Sequence, residues 1–327
     1  MSSGWSLVVH GGSGVIDRGD LKPEQDRAYR AALTRAAEAG AAVLRGAGAA
    51  LDAVEAAIRV LEDDPLFNAG RGAVFTAEGR NELDASIMDG ATLAAGAVAG
   101  VTRTRNPISL ARAVMEHSPH VFLIGEGAEA FARSQELEET DPGYFFTGRR
   151  WRSLERELRG QGLAVPPPPA AGSNENDQAA ALAHDEGKRG TVGAVALDSG
   201  GRVAAATSTG GTTAKRWGRV GDSPVIGAGT YASDTACAVS ATGTGEYFIR
   251  LAVARTVCAL VEMKGLSLQD AVDEVVQRQL SAIGGDGGVI AVAPDGQMAW
   301  SFNTSGMYRA RLAQDRPLQV GIYKDDP

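Results

Sequence analysis

The chain is short of the residues that most catalytic chemistries use. Its 327 residues include only 4 histidines and 2 cysteines. No Ser-His-Asp or Cys-His arrangement stands out, and no GxSxG elbow occurs. No HExxH, CxxC pair or clustered His/Asp set offers ligands to a catalytic transition metal. Cys237 and Cys258 are too few for a disulfide framework, which fits a reducing compartment. No apolar run is long enough to span a bilayer, and residues 1–10 lack a basic stretch leading into a long apolar one. We therefore expect no signal peptide, no membrane partner and a cytoplasmic protein. The net charge of -8 argues against nucleic acid as a partner. The third glycine of GxGxxG is missing after Gly243 and Gly245, because Phe248 stands there, and no GxxxxGK occurs, so a phosphate loop is disfavoured.

What the chain has in quantity is glycine, 42 residues, within an ordinary hydrophobic fraction of 44%. At this length it can bury a large core. Residues 6–10 read as a buried strand ended by a glycine turn at 11–14. Pro23 opens a helix that runs to residue 44, and 52–63 is a second amphipathic helix. Strands are expected at 73–76, 82–88, 94–101 and 121–124, with helices at 107–117 and 126–134. From about 160 to 190 the chain becomes Pro, Ala, Asn, Asp, Gln and Gly, too polar to bury itself, and reads as a mobile linker. Beyond it come a hairpin (192–197 with 203–208), a long helix at 245–263, a helix at 267–282 with a capping box at Ser267 and Asp270, and a second hairpin (289–292 with 297–302). That order suggests helices covering a sheet sandwich.

The junction Gly190-Thr191 falls where the polar run meets the first strand of the second half. A threonine there is usually structural. Freed as an N-terminus, however, Thr191 would carry a hydroxyl nucleophile and an amine base in one residue. An α-amino group has a reference pKa of about 7.7–8.0, so no separate histidine is needed. Three further clusters bear on it. Thr207-Ser208-Thr209-Gly210-Gly211 ends the neighbouring strand and could orient Thr191. Arg219 and Asp222 could grip the carboxylate and ammonium of an amino acid, although an isolated pair of this kind is usually a surface ion pair. Thr242 and Gly243 precede a helix whose N-terminus suits an oxyanion.

Taken in order, the segments at 10–14, 65–70, 82–85, 190–193, 207–211, 218–224, 241–246 and 302–309 resemble the plant-type asparaginases, also called isoaspartyl peptidases. The resemblance implies an N-terminal nucleophile hydrolase with a four-layer αββα fold, cut before Thr191 into an α-subunit (1–190) and a β-subunit (191–327). Two such pairs would form a dimer of heterodimers. Carried onto this chain, it makes Thr191 the nucleophile, with Thr209 bonded to its hydroxyl. Thr242 and Gly243 become the oxyanion hole, with Asn68 near the cleavage site. Arg219 would hold the α-carboxylate, and Asp222 with the Gly245 carbonyl the α-amino group. Substrates would be L-asparagine and β-aspartyl dipeptides. The resemblance implies no catalytic cofactor, but a structural sodium on main-chain carbonyls matching Leu61, Glu62, Asp64, Phe67, Ala69 and Arg71. Two rivals remain: a glycosylasparaginase, which shares the Thr nucleophile and a segment like 219–224, and a non-catalytic amino-acid-binding protein. The second does not account for a polar run that ends at Gly-Thr.

Overall fold

A computed structural model describes residues 4–19, 21–168 and 190–326. An eight-stranded sheet has the order β12-β11-β1-β5-β6-β2-β3-β4, and a four-stranded sheet the order β10-β9-β8-β7. The strands are β1 (Ser6–Gly14), β2 (Leu83–Asp89), β3 (Ala95–Val101), β4 (Phe122–Ile124), β5 (Val192–Leu197), β6 (Val203–Thr209), β7 (Thr230–Ala232), β8 (Ala238–Gly243), β9 (Gly287–Val292), β10 (Met298–Phe302), β11 (Gly306–Ala313) and β12 (Arg316–Tyr323).

The period of two in the apolar residues builds the layers. Leu7 and Val9 of β1, Ala194 and Ala196 of β5, and Ala204 and Ala206 of β6 face a core shared with helices α1 (Pro23–Arg45), α2 (Ala50–Glu62) and α3 (Pro107–His117). Their neighbours Val8, Val195, Leu197, Val203 and Ala205 turn the other way, onto Ala238, Ile290 and Val292 of the small sheet. The small sheet repeats the pattern. Its Val289 and Ala291 pack on α6 (Gly245–Leu251), α7 (Val253–Lys264) and α8 (Leu268–Asp273). The result is helix, sheet, sheet, helix, the expected αββα order. Each buried Leu or Val contributes about 1.5–3 kcal/mol to holding these layers together.

Several elements differ from the expectation. The glycines at 11–14 continue β1 instead of turning it. Gly11 is an extra residue between the His10–Arg309 and Gly12–Tyr308 pairs, a bulge that re-aims the strand. A Cβ at Gly11 would fall 2.3 Å from the Phe67 ring, so glycine there serves close packing. Residues 73–76 form only a bridge, Thr76 with Lys215, because side chains of Asn68 and Asn81 take the Ala73 and Val74 backbone groups. The helix expected at 245–263 breaks at Ala252, whose φ is 46°. Nothing in its composition marks the break. The cause is tertiary: Ala254 N and Arg255 N donate to the carbonyls of Ala228 and Gly227. The helix expected at 267–282 is correctly capped by Ser267, which accepts from Asp270 N, but after α8 it widens to a π-helical stretch over Glu274–Leu280. Helices α4 (Gly125–Ser134) and α5 (Gly148–Gly160) complete the first half. The expected linker begins at the end of α5, and its stretch 169–189 lies outside the described residues.

Candidate active site

The same parity that sends Val8, Val195, Ala205, Met88, Ala238 and Ala232 into the inter-sheet layer sends His10, Gly193, Thr207, Ser86, Ser240 and Thr230 there too. One end of that layer is therefore apolar and the other rich in hydroxyls. Thr191, just before β5, and Thr209, the last residue of β6, lie at the polar end. Both are buried, Thr191 7% and Thr209 2% exposed.

Thr191 Oγ1 donates to Thr209 Oγ1 at 3.1 Å. Thr209 Oγ1 accepts from Gly211 N at 3.0 Å and turns its own proton to the Gly190 carbonyl at 3.3 Å. Asn68 Nδ2 donates to the same carbonyl at 2.7 Å and to Gly211 O at 2.8 Å, while its Oδ1 accepts from Val74 N. Both amide protons are spent on carbonyls, so the network fixes the orientation of Asn68. The carbonyl before Thr191 thus faces two donors. Asn68 is held there by its neighbour: Phe67 packs edge-on to Tyr29 and Tyr308, which stack 4.1 Å apart.

The β1 bulge joins this cluster to the next. A Cβ at Gly12, where φ is 110°, would lie 2.9 Å from Gly190 Cα and 3.3 Å from Thr191 N. The adjacent Ser13 donates from its N to Thr242 Oγ1 at 3.4 Å and from its Oγ to Thr242 O at 3.2 Å. Because Ser13 supplies that proton, the Thr242 hydroxyl keeps its own, and no described residue accepts it. Thr242 and Gly243 end strand β8, opposite Gly288 and Gly287, and a Cβ at Gly243 would meet Asp286 O at 2.4 Å. The helix that follows, α6, is only seven residues long.

Arg219, Asp222 and Gly245 also converge. A Cβ at Gly245 would stand 2.9 Å from Asp222 Oδ1 and 3.0 Å from Arg219 Nη2. Arg219 forks onto Glu246, with Nε–Oε1 and Nη2–Oε2 both 3.0 Å. Asp222 is 4% exposed, and its Oδ2 has no hydrogen-bond partner among the described residues. Burial pushes its pKa up to about 7, against the pull of its own backbone and of Arg219.

Residues the sequence reading left without a role sit in the same place. Lys215, with its side chain 1% exposed, donates to Glu82 O at 2.9 Å and lies 3.9 Å from both Glu82 Oε2 and Asp84 Oδ2. It also backs Gly211, where a Cβ would touch its Nζ at 3.1 Å. Asp84 is fully buried opposite Thr209, and burial raises its pKa while Lys215 draws it down. Burial pushes His10 down to about 3, so it is neutral; the Thr191 backbone opposes the shift but stands outside hydrogen-bond geometry to the ring. Strand parity was the signal that could have placed His10, Ser86, Ser240 and Asp84.

The loop expected to hold sodium folds on itself. At Gly70, φ 48°, a Cβ would meet Glu62 O at 2.3 Å, and at Gly72 it would meet Phe67 O at 2.0 Å. Only glycine lets these carbonyls crowd one loop. The carbonyls of Leu61, Asp64 and Ala69 accept from Asp64 N, Phe67 N and Gly72 N within it. The side chains turn elsewhere: Glu62 Oε1 accepts from Ser208 Oγ at 2.6 Å, Asp64 pairs with Arg35, and Arg71 lies over Tyr144. Burial raises Glu62 to about 8. Among the described residues no group of three or more His, Cys, Asp or Glu is placed to hold a metal ion. No described helix is long and apolar enough to cross a membrane.

Comparison with known proteins adds two findings. A family model described as Asparaginase matches residues 3–322. The chain is 50% identical over 320 residues to the isoaspartyl peptidase of Salmonella typhimurium, covering 98% of each chain. It is 49% identical to the isoaspartyl peptidase of Escherichia coli, covering 98% of this chain and 96% of that one. With the human isoaspartyl peptidase/L-asparaginase it shares 40% identity, again over 98% and 96%.

Proposed function

The chain belongs to the asparaginase family, and on that premise we propose that it is a self-processing threonine hydrolase acting on L-asparagine and β-aspartyl dipeptides. The observation that carries the reading is Thr191, its hydroxyl on Thr209 and its preceding carbonyl on Asn68.

The maturation step follows from that geometry. Thr191 Oγ attacks the Gly190 carbonyl carbon, and the charge growing on Gly190 O meets Asn68 Nδ2 and Thr209 Oγ1. The C–N bond breaks, the Thr191 nitrogen takes the proton, and water hydrolyses the resulting ester. This leaves 1–190 and 191–327 as separate chains. Their association is supported by sheet order, since β1 from the first piece is hydrogen-bonded on one side to β11 and on the other to β5, both from the second. We propose further that two such pairs assemble into a dimer.

In the mature enzyme the freed amine of Thr191 takes the hydroxyl proton, and Oγ attacks the side-chain amide carbon of the substrate. Thr242, with its uncommitted proton, and the Gly243 N–H receive the oxyanion. The amine then passes its proton to departing ammonia, or to the departing amino acid of a dipeptide. Water hydrolyses the β-aspartyl ester, releasing aspartate. Arg219 turns its fork from Glu246 to the α-carboxylate, and Asp222 Oδ2, without a partner among the described residues, takes the α-ammonium with the Gly245 carbonyl. No step needs a cofactor. The carbonyls crowded at 61–71 are neutral hard oxygens of the kind a sodium ion accepts, and we assign that loop a structural sodium.

Denaturing electrophoresis with N-terminal sequencing tests the reading. The purified protein should give two fragments, one beginning at Thr191, and Thr191→Ala should give one band and no hydrolysis. An alanine variant that still hydrolyses β-Asp-Leu sinks the assignment of the nucleophile. Parallel assays on L-asparagine, β-Asp-Leu and an N-glycosylated asparagine separate this reading from a glycosylasparaginase.

A further inference from the structure

Between the two sheets runs a file of buried polar side chains that the reaction as described does not use. His10 Nε2 lies 3.1 Å from Ser240 Oγ, and Ser240 Oγ 2.6 Å from Thr207 Oγ1. Thr207 Oγ1 lies 2.6 Å from Thr230 Oγ1, and Thr230 Oγ1 2.7 Å from Ser86 Oγ. Ser86 Oγ reaches the Ser223 carbonyl at 2.6 Å. All five side chains are 0% exposed. We infer that His10, Ser240, Thr207, Thr230 and Ser86 form a positioning relay that holds the backbone after Asp222, and so the Asp222 carboxylate, in register with Thr191.

Hydroxyl geometry gives the file a direction, from Ser86 through Thr230 to Thr207. Thr230 donates to Thr207, and Ser86 shares its one proton between Thr230 and the Ser223 carbonyl. Thr207 in turn donates to the Gly229 carbonyl at 3.1 Å and lies 2.6 Å from Ser240 Oγ. His10 is neutral, with its Nε2 facing Ser240 Oγ.

Position argues that the relay serves the site and not the core. Farther along the same layer the same strands carry Val195, Ala205, Met88, Ala238 and Ala232, which fill it without polar groups to satisfy. Buried hydroxyls are costly unless fully paired, and fully paired they define a single geometry. One end of the relay lies against the nucleophile strand, where a Cβ at Gly193 would come within 2.1 Å of both His10 Nε2 and Ser240 Oγ. The other end grips the carbonyl of the residue after Asp222. Because Asp222 Oδ2 has no partner among the described residues, the loop backbone must set where that oxygen points.

This inference rests on the reading of Asp222 as the ammonium acceptor, and the experiment separates the two. Ser86→Ala should raise KM for L-asparagine about tenfold, the scale of one lost buried hydrogen bond, with kcat within about twofold of wild type. KM for the desamino analogue succinamate should not move, and Thr191 should still be released. Thr230→Val should behave like Ser86→Ala, and Thr230→Ser should restore the wild-type KM. In an Asp222→Asn background the Ser86→Ala effect should vanish. The relay is overturned if Asp222→Asn raises KM while Ser86→Ala and Thr230→Val do not, or if succinamate suffers equally. If Asp222→Asn itself leaves KM unchanged, the head-group reading has failed instead.

Discussion

Asp222 should make substrate affinity depend on pH in a range where an ordinary aspartate would not. Burial raises its pKa from 3.8 to about 7 in the free site. Only the ionised carboxylate can hold an ammonium, so it is competent in about a tenth of molecules at pH 6 and about nine tenths at pH 8. The ratio of kcat/KM for L-asparagine over succinamate should therefore rise about tenfold from pH 6 to pH 8 and then level. Taking the ratio removes the titration of the Thr191 amine, which both substrates share. Stability should move the opposite way. A carboxyl whose pKa is raised by folding keeps its proton in the folded state after the unfolded chain has lost it, so stability falls as pH climbs from about 4 to 7. At about 1.4 kcal/mol per unit the loss is about 4 kcal/mol at most, and Asp222→Asn should recover part of it at pH 8 and none at pH 4. Steady-state kinetics across pH, with urea unfolding of both proteins, measure these effects. A flat ratio between pH 6 and 8, or an Asp222→Asn variant that keeps the wild-type slope, refutes the reasoning.

Three further outcomes follow from the same geometry. Asn68→Ala removes the donor 2.7 Å from the Gly190 carbonyl and should slow self-cleavage by about 10²–10³, read from an electrophoretic time course; an unchanged rate removes Asn68 from that step. Gly193→Ala should destabilise the protein by about 3 kcal/mol or more, since the new methyl would meet two buried polar atoms at 2.1 Å; a urea midpoint equal to wild type contradicts the packing. Lys215→Met leaves Asp84 buried without its cation and should cost about 3 kcal/mol. Because burial raises the Asp84 pKa, that cost should shrink as pH falls, and a melting shift independent of pH contradicts it.

Much of this was legible along the chain because it depends on neighbours in sequence. Alternation in 192–197 and 203–208 yields a hairpin with one apolar face toward each layer, and Pro23 and Ser267 mark helix starts that the structure keeps. The strands β7, β8, β11 and β12 and the helix α5 escaped notice. In β11, Arg309 and Arg311 interrupt the apolar pattern, and only the fold explains them: Arg309 is buried at 1% exposure, donating to the Met307 and Tyr323 carbonyls. The break at Ala252 was equally hidden, since it is set by carbonyls at 227 and 228 that approach only after folding.

Sequence pointed to Thr191 as a nucleophile candidate, to Thr209 as a neighbour and to Arg219 and Asp222 as a candidate head-group pair, because those residues stand in ordered local motifs, while Asn68 entered only through the family resemblance. It determined the layers too, because the face a strand residue takes is a matter of odd and even. Only the tertiary structure decided that Asn68 and Thr209 point at one carbonyl, that Ser13 frees the Thr242 proton, and that Lys215 stands behind Gly211. It alone decided that five scattered polar residues form one file between the sheets. Apart from that of Lys215 with Gly211, these contacts join residues 19 to 230 positions apart. They depend on which strands pair and in what register, and no local pattern carries that information.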